Sequence, residues 1–287
     1  MKYQIYSGAG NDFVMFDNRD NTVPFDRQEE FVIKICSEQF KDIDGVIFLD
    51  MPFNKTASLR MNYYNRDGSY GAMCGNGARC IAQFAVDSHI ITKNAFNLEV
   101  MERIYKTEIM GNNVVKVSFP SVITSQLKFY MVVKAILDGK EQHIAASWLD
   151  VGSWHLVICI KDPNNYEKLG INSLDQIKVN EWGKQFRFHR GFDPPGVNVN
   201  FIDILSPSEI RIRTYEKGVE RETLSCGTGV IASAIAARFS FSVEPPVRVL
   251  TQGGEWLSVD FKIKGERIED ISLEGNARKI GEGEIKI

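Results

Sequence analysis

The chain has 287 residues, of which 44% are hydrophobic and 25% charged, with a formal net charge of −3; this is the balance of an ordinary soluble globular protein. No dense Lys/Arg run is present to meet nucleic acid or an anionic membrane, and no apolar run approaches the roughly 20 residues needed to cross a bilayer. Residues 1–7 lack a basic-then-apolar leader, so a cytoplasmic location is expected. The five cysteines, Cys36, Cys74, Cys80, Cys159 and Cys226, form an odd set without a C-x-x-C pair. That pattern speaks against a disulfide framework or a structural zinc site and for reduced thiols.

In chain order, residues 2–6 read as a strand, followed by the turn Ser7-Gly8-Ala9-Gly10-Asn11-Asp12 and a second strand at 13–16. Phe13 stands where a dinucleotide fingerprint needs its third glycine, and no Rossmann unit follows, which rejects that reading. Residues 28–40 place Phe31, Val32, Ile35 and Cys36 on one face, the spacing of an amphipathic helix. Strands are expected at 46–49 and 59–64, with the turn Asp42-Ile43-Asp44-Gly45 before them and a helix over 80–86 after them. Further strands near 98–100, 104–109 and 114–119 close the first half, and polar residues at 120–126 mark a boundary. The second half opens with a strand at 129–137 and the hairpin signal Asp138-Gly139. Val151-Gly152-Ser153-Trp154-His155 then leads into an apolar strand at 156–160, and residues 174–186 are predicted to be a helix. Pro194-Pro195-Gly196-Val197-Asn198-Val199-Asn200 is a stiff polar loop of the kind that binds ligands. A strand at 210–215 is followed by a helix at 231–237 that carries no charge and so should be surrounded by strands on all sides. Strands dominate, with one buried helix per half, so the class is α+β.

One motif occurs twice. Cys74-Gly75-Asn76-Gly77-Ala78-Arg79 is echoed by Cys226-Gly227-Thr228-Gly229-Val230, and upstream Arg60-Met61-Asn62-Tyr63-Tyr64-Asn65-Arg66 is echoed by Arg211-Ile212-Arg213-Thr214-Tyr215-Glu216-Lys217. Each cysteine stands at the foot of a glycine-rich turn that runs into an apolar helix. A single copy is as readily a helix cap beside a buried cysteine; the repetition argues for two related halves sharing one site. Helix N-termini carry unpaired N–H groups and roughly half a positive charge, so they favour carboxylates and thiolates. Cysteine pKa values there fall from about 8.5 to roughly 3.5–7.5. Two such half-sites facing one another would put a thiol on each side of one substrate carbon.

With Asn65-Arg66-Asp67-Gly68-Ser69 before the first motif, Tyr215-Glu216 before the second, Gly8-Ala9-Gly10-Asn11-Asp12-Phe13 near the start and Gly196-Val197-Asn198 later, the chain resembles the diaminopimelate epimerase family over nearly its whole length. The resemblance implies two pseudo-symmetric domains, each a curved, mostly antiparallel sheet wrapped round a central helix. The expected domains are 1–122 with Cys74 and 123–274 with Cys226, with a C-terminal strand at about 275–287 packing on the first and the active site in the cleft between them. It also implies a homodimeric, cofactor-independent amino-acid epimerase with no metal. Cys74 and Cys226 would be the two bases, with His155 and Glu216 setting their protonation. Asn11, Asn65 and Asn198 would hold the substrate's carboxylates and amines, and Gly75-Asn76 and Gly227-Thr228 the α-carboxylate.

Three departures stand out. The family's Gly-Asn-Pro-His is here Gly152-Ser153-Trp154-His155, its Glu-Arg-Gly is Glu216-Lys217-Gly218, and one extra residue lies among Val219-Glu220-Arg221-Glu222. The replaced Asn and Arg grip the far carboxylate in the family. Lys217 keeps the charge without the planar fork, and Arg221 is placed to compensate. Asp44, Ser153 and Arg221 are therefore further candidates, and a racemase of histidine, glutamate or proline is the alternative reading. A non-catalytic amino-acid-binding protein is a distant third.

Overall fold

Apolar alternation in the strands and two buried helices set the architecture, seen in a computed structural model that describes residues 1–71 and 73–286. The chain forms two units, Met1–Phe119 with Glu274–Ile287 and Pro120–Leu273.

In the first unit, β1 (Lys2–Gly8) and β2 (Asn11–Asp17) form a hairpin. Ala9 and Gly10 both have positive φ, the left-handed pair that a two-residue hairpin turn needs. Asn11, read as a turn residue, is thereby the first residue of a strand, opposite Gly8. Helix α1 (Phe25–Glu38) crosses over to β3 (Gly45–Asp50), which runs parallel to β2, and β4 (Leu59–Asn65) returns antiparallel. Helix α2 (Gly75–Asp87) leads to β5 (Ala95–Val100), parallel to β4, and β6 (Arg103–Gly111) and β7 (Val114–Ser118) follow antiparallel. Alternation divides the sheet's two faces. Phe13, Met15, Ile47 and Leu49 pack on the side of α2, whereas Val14, Phe16, Val46 and Phe48 pack with Val32, Ile35 and Cys36 of α1. Strands touch α2 all round, and Gly75 to Ala85 are buried without exception.

The second unit begins with β8 (Val122–Ile123) and the long hairpin of β9 (Lys128–Leu137) and β10 (Lys140–Asp150), turned by Asp138 and Gly139, both at positive φ. After β11 (Trp154–Cys159), antiparallel to β10, come the short α3 (Tyr166–Leu169) and α4 (Val179–Arg187). Next are β12 (Asn198–Ser206), parallel to β11, and β13 (Glu209–Glu216) and β14 (Arg221–Thr223), both antiparallel. Helix α5 (Gly227–Phe241) connects to β15 (Val247–Leu250), parallel to β13, followed by β16 (Trp256–Lys264) and β17 (Arg267–Asn276). From Glu274, at the end of β17, the chain belongs to the first unit again, and the last strand, β18 (Arg278–Glu284), pairs antiparallel with β1. Strands surround α5, whose alanines, glycines and two serines let backbones approach closely. Burying Val230, Ile231 and Ile235 completely stabilises this centre by about 1.5–3 kcal/mol for each side chain.

The internal echo is now structural. Antiparallel, parallel, antiparallel, parallel, antiparallel is the pairing order of β1 to β6 and equally of β10, β11, β12, β13, β15 and β16. Register aligns residue with residue: Gly45 pairs with Phe13 and Asn65, and Asn198 pairs with His155 just as its neighbour Val199 pairs with Tyr215. Each unit is thus a curved, mostly antiparallel sheet round a central helix, an α+β fold with two pseudo-symmetric halves.

The helix expected at 174–186 is instead a 3-10 turn, Leu174–Gln176, followed by α4. Ser173 and Gln176 close that turn as a capping box, and the extended backbone of Ile177 turns its side chain into the core, which interrupts the helix. Both central helices begin earlier than expected, because the glycine-rich motif is itself the first helical turn.

Candidate active site

Cys74 is the N-cap of α2 and Cys226 the N-cap of α5, each in extended conformation before its helix. The Cys74 Sγ accepts the Gly77 N–H at 3.4 Å. Gly75, Asn76 and Gly77, like Gly227, Thr228 and Gly229, contribute first-turn N–H groups of the kind that bind anions. Cys74 is half-buried and Cys226 is 8% exposed. The other three cysteines are core residues. Burial raises the pKa of Cys36 and Cys80 and pushes Cys159 up to about 12, so these thiols stay protonated.

In the first unit Asn11 lies beside the α2 cap: Asn76 Nδ2 donates to Asn11 Oδ1 at 2.6 Å. Arg79, fully buried, donates to Asn76 Oδ1 at 2.8 Å and to the Gly75 carbonyl at 3.3 Å. A guanidinium only donates, so it fixes the amide of Asn76 and through it that of Asn11, whose Nδ2 is left as a donor for a ligand. No role was assigned to Arg79 from the sequence, although an arginine inside an apolar helix is itself a signal. Asn65, at the end of β4, accepts from the Tyr63 hydroxyl at 2.7 Å and donates to Ser69 Oγ at 2.9 Å. Asp44 Oδ2 accepts the Asp12 N–H at 2.8 Å and so braces the turn next to Asn11.

In the second unit His155 is fully buried, with Nε2 3.0 Å from Thr228 Oγ1 and Nδ1 3.2 Å from Asn200 Nδ2. Burial, helped by the nearby charge of Lys217, pushes its pKa down to about 3, so the ring is neutral. Thr228 Oγ1 is also 3.7 Å from Cys226 Sγ. Asn198 Nδ2 donates to Ser153 Oγ at 3.0 Å and to the Trp154 carbonyl at 3.2 Å, while its Oδ1 accepts the Lys217 N–H at 2.9 Å. The residues that depart from the family pattern are therefore neighbours. Glu216 Oε2 accepts from Thr223 Oγ1 at 2.7 Å, and Arg221, exposed, is the cross-strand partner of Glu216. Sequence reasoning assigned nothing to Asn200 or Thr214, which lie behind His155.

Among the described residues no group of three or more His, Cys, Asp or Glu side chains is placed to hold a metal ion, and no helix is long and apolar enough to cross a membrane. A cavity of about 210 Å³ in the second unit, lined by Phe129, Met131, Cys159, Ala236 and Phe241 among others, lies at the far end of α5 from Cys226.

The fold of two matching halves, each a sheet round a buried helix, is shared with solved structures described as a racemase and an epimerase. The chain is similar to a structure described as a probable proline racemase from Agrobacterium radiobacter, with TM-score 0.72 and 13% identity over 100% of this chain and 93% of that one. It is also similar to a hydroxyproline epimerase from Agrobacterium vitis, with TM-score 0.72 and 15% identity over 99% and 91% of the two chains. These likenesses establish the fold. The family model described as Diaminopimelate epimerase matches residues 3–121 and 147–280. Relatives named diaminopimelate epimerase are 34% identical in Aquifex aeolicus, covering 99% of this chain and 98% of theirs, and 35% identical in Chlorobaculum tepidum, covering 98% and 100%. The chain belongs to the diaminopimelate epimerase family.

Proposed function

We propose that this chain converts LL-diaminopimelate into meso-diaminopimelate, in the synthesis of lysine and peptidoglycan precursors, by two-base proton transfer between Cys74 and Cys226 without a cofactor. The observation that carries this reading is the matched pair of cysteines, each capping a buried helix in one of two topologically equivalent units. Inversion requires one thiolate to remove the α-proton and one thiol to deliver a proton to the opposite face. A Cα–H is a far weaker acid than a thiol. The carbanion's charge spreads onto the α-carboxylate, where N–H donors from Gly75-Asn76 and Gly227-Thr228 would stabilise it; removing one such donor typically costs about 2.7–4 kcal/mol of barrier. Asn11, Asn65 and Asn198 would orient the substrate, and His155 and Glu216 would set the protonation of the thiols. Cytoplasmic location and a homodimer belong to the same reading, and light scattering on the purified chain tests the latter.

LL-diaminopimelate incubated with the enzyme in heavy water should yield the meso isomer with deuterium at one α-carbon, and Cys74→Ser and Cys226→Ser should each abolish formation of the meso product. No exchange and no meso product would refute the assignment. The grouping of Ser153, Asn198 and Lys217 supports the second reading, a racemase of a single amino acid such as histidine, glutamate or proline. Deuteration of one of these, with diaminopimelate inert, would establish it.

A further inference from the structure

The groups behind Cys226 form a chain whose proton directions can be derived. Asn200 is fully buried, and its Nδ2 lies 3.3 Å from the Leu156 carbonyl, which can only accept, while its Oδ1 accepts from Thr214 Oγ1 at 3.0 Å. The Leu156 contact requires the amide nitrogen to face His155, and the Thr214 hydroxyl, able to donate, completes that orientation; Nδ1 of the ring is therefore an acceptor and the single proton of the neutral imidazole sits on Nε2. That proton is donated to Thr228 Oγ1. The hydroxyl hydrogen of Thr228 is then free to point to its other neighbour, the Cys226 sulfur.

The equivalent positions of the first unit do not repeat this. Register places Phe13 at the position of His155, Ile47 at that of Asn200 and Tyr63 at that of Thr214. A Cβ on Gly77 would meet Ile47 Cδ1 at 2.8 Å, whereas one on Gly229 would meet Asn200 Oδ1 at 2.5 Å. The polar chain is therefore particular to Cys226 and is not a requirement of the fold.

We propose that Thr214 and Asn200 are positioning residues that lock His155 as its Nε2–H tautomer and thereby turn the hydroxyl of Thr228 to donate to the sulfur of Cys226, favouring its thiolate. This deepens the reading above and rests on Cys226 being a reacting thiol. The test uses the full chain without substrate. Nitrogen-15 NMR of histidine-labelled protein, with His155 identified by its loss in His155→Gln, should show a pyridine-type Nδ1 and a pyrrole-type Nε2. Asn200→Asp supplies an acceptor to Nδ1, so it should reverse the two signals and, with Nε2 now taking the Thr228 proton, slow iodoacetamide alkylation of Cys226 at pH 6 about tenfold, read by peptide mass. Thr228→Val should slow alkylation likewise while leaving the tautomer unchanged, which keeps the idea testable if Asn200→Asp does not fold. An Nδ1–H or doubly protonated His155 in the unaltered chain overturns the proposal, as does Cys226 alkylation at the original rate in Thr228→Val. A Cys226 that no reagent reaches in the unaltered chain, with the tautomer as expected, would instead count against the two-thiol reading.

Discussion

His155 ties acid sensitivity to the candidate site. Its pKa in the folded chain, about 3, lies below the ordinary 6.5, so between those values the unfolded chain binds a proton that the native one does not. Stability is then flat above pH 6.5 and falls as the pH drops, by up to about 1.4 kcal/mol per pH unit. Urea midpoints recorded between pH 7 and about 5.5, above the ordinary carboxylate range of roughly 4 to 4.5, should decline in the unaltered chain and decline less steeply in His155→Gln. Gly229 is equally exacting. Gly229→Ala would press a methyl group into Asn200 Oδ1, and both the thermal midpoint and the turnover of the variant should fall. The two cysteines could be picked from sequence because glycines beside a helix start leave a pattern in one dimension. Asn200 and Thr214 act through neighbours brought in from other strands, a relation that register creates and a linear reading does not display; Arg79 bonds within its own helix, and only the fold brings Asn11 to its partner Asn76.

At the level of elements, sequence reading was most accurate where one segment carries its own signal. Asp138-Gly139 specified a hairpin, and the uncharged stretch after Cys226 specified a helix enclosed by strands. That enclosure has a measurable consequence. Ala232, fully buried in α5, has no space or partner for a carboxylate, so Ala232→Asp should leave the second unit unfolded, with loss of its ordered near-ultraviolet signal and of soluble yield. The single helix expected over residues 174–186 does not form. The capping box at Ser173 and Gln176 competes locally, and the gain from seating Ile177 in the core decides the outcome. Parallel pairing of β2 with β3 and of β11 with β12 was also invisible, since partner choice across a crossover is set by packing of α1 and α4 and not by either strand alone.

Across the molecule, the echo of a few residues around each cysteine expands into two units of the same pairing order, so a short repeat stood for a whole architecture. The first unit is assembled from both ends of the chain: β18 pairs with β1 from Lys2↔Glu284 to Ser7↔Arg278, and the Met1 amino group donates to the Ile285 carbonyl at 2.6 Å. Removing residues 277–287 should therefore lower the stability of the first unit, where Ala277 is a buried core residue, while the second retains its fold; proteolysis of the truncated chain should cut first within residues 1–119. The second unit is one continuous segment and can condense as soon as it leaves the ribosome. The first must wait, its hydrophobic interior incompletely walled, until residues about 280 positions downstream have been synthesised. During translation the older part of the polypeptide is thus the later to mature, and the nascent chain is most exposed to chaperones and to aggregation through the strands that were made first.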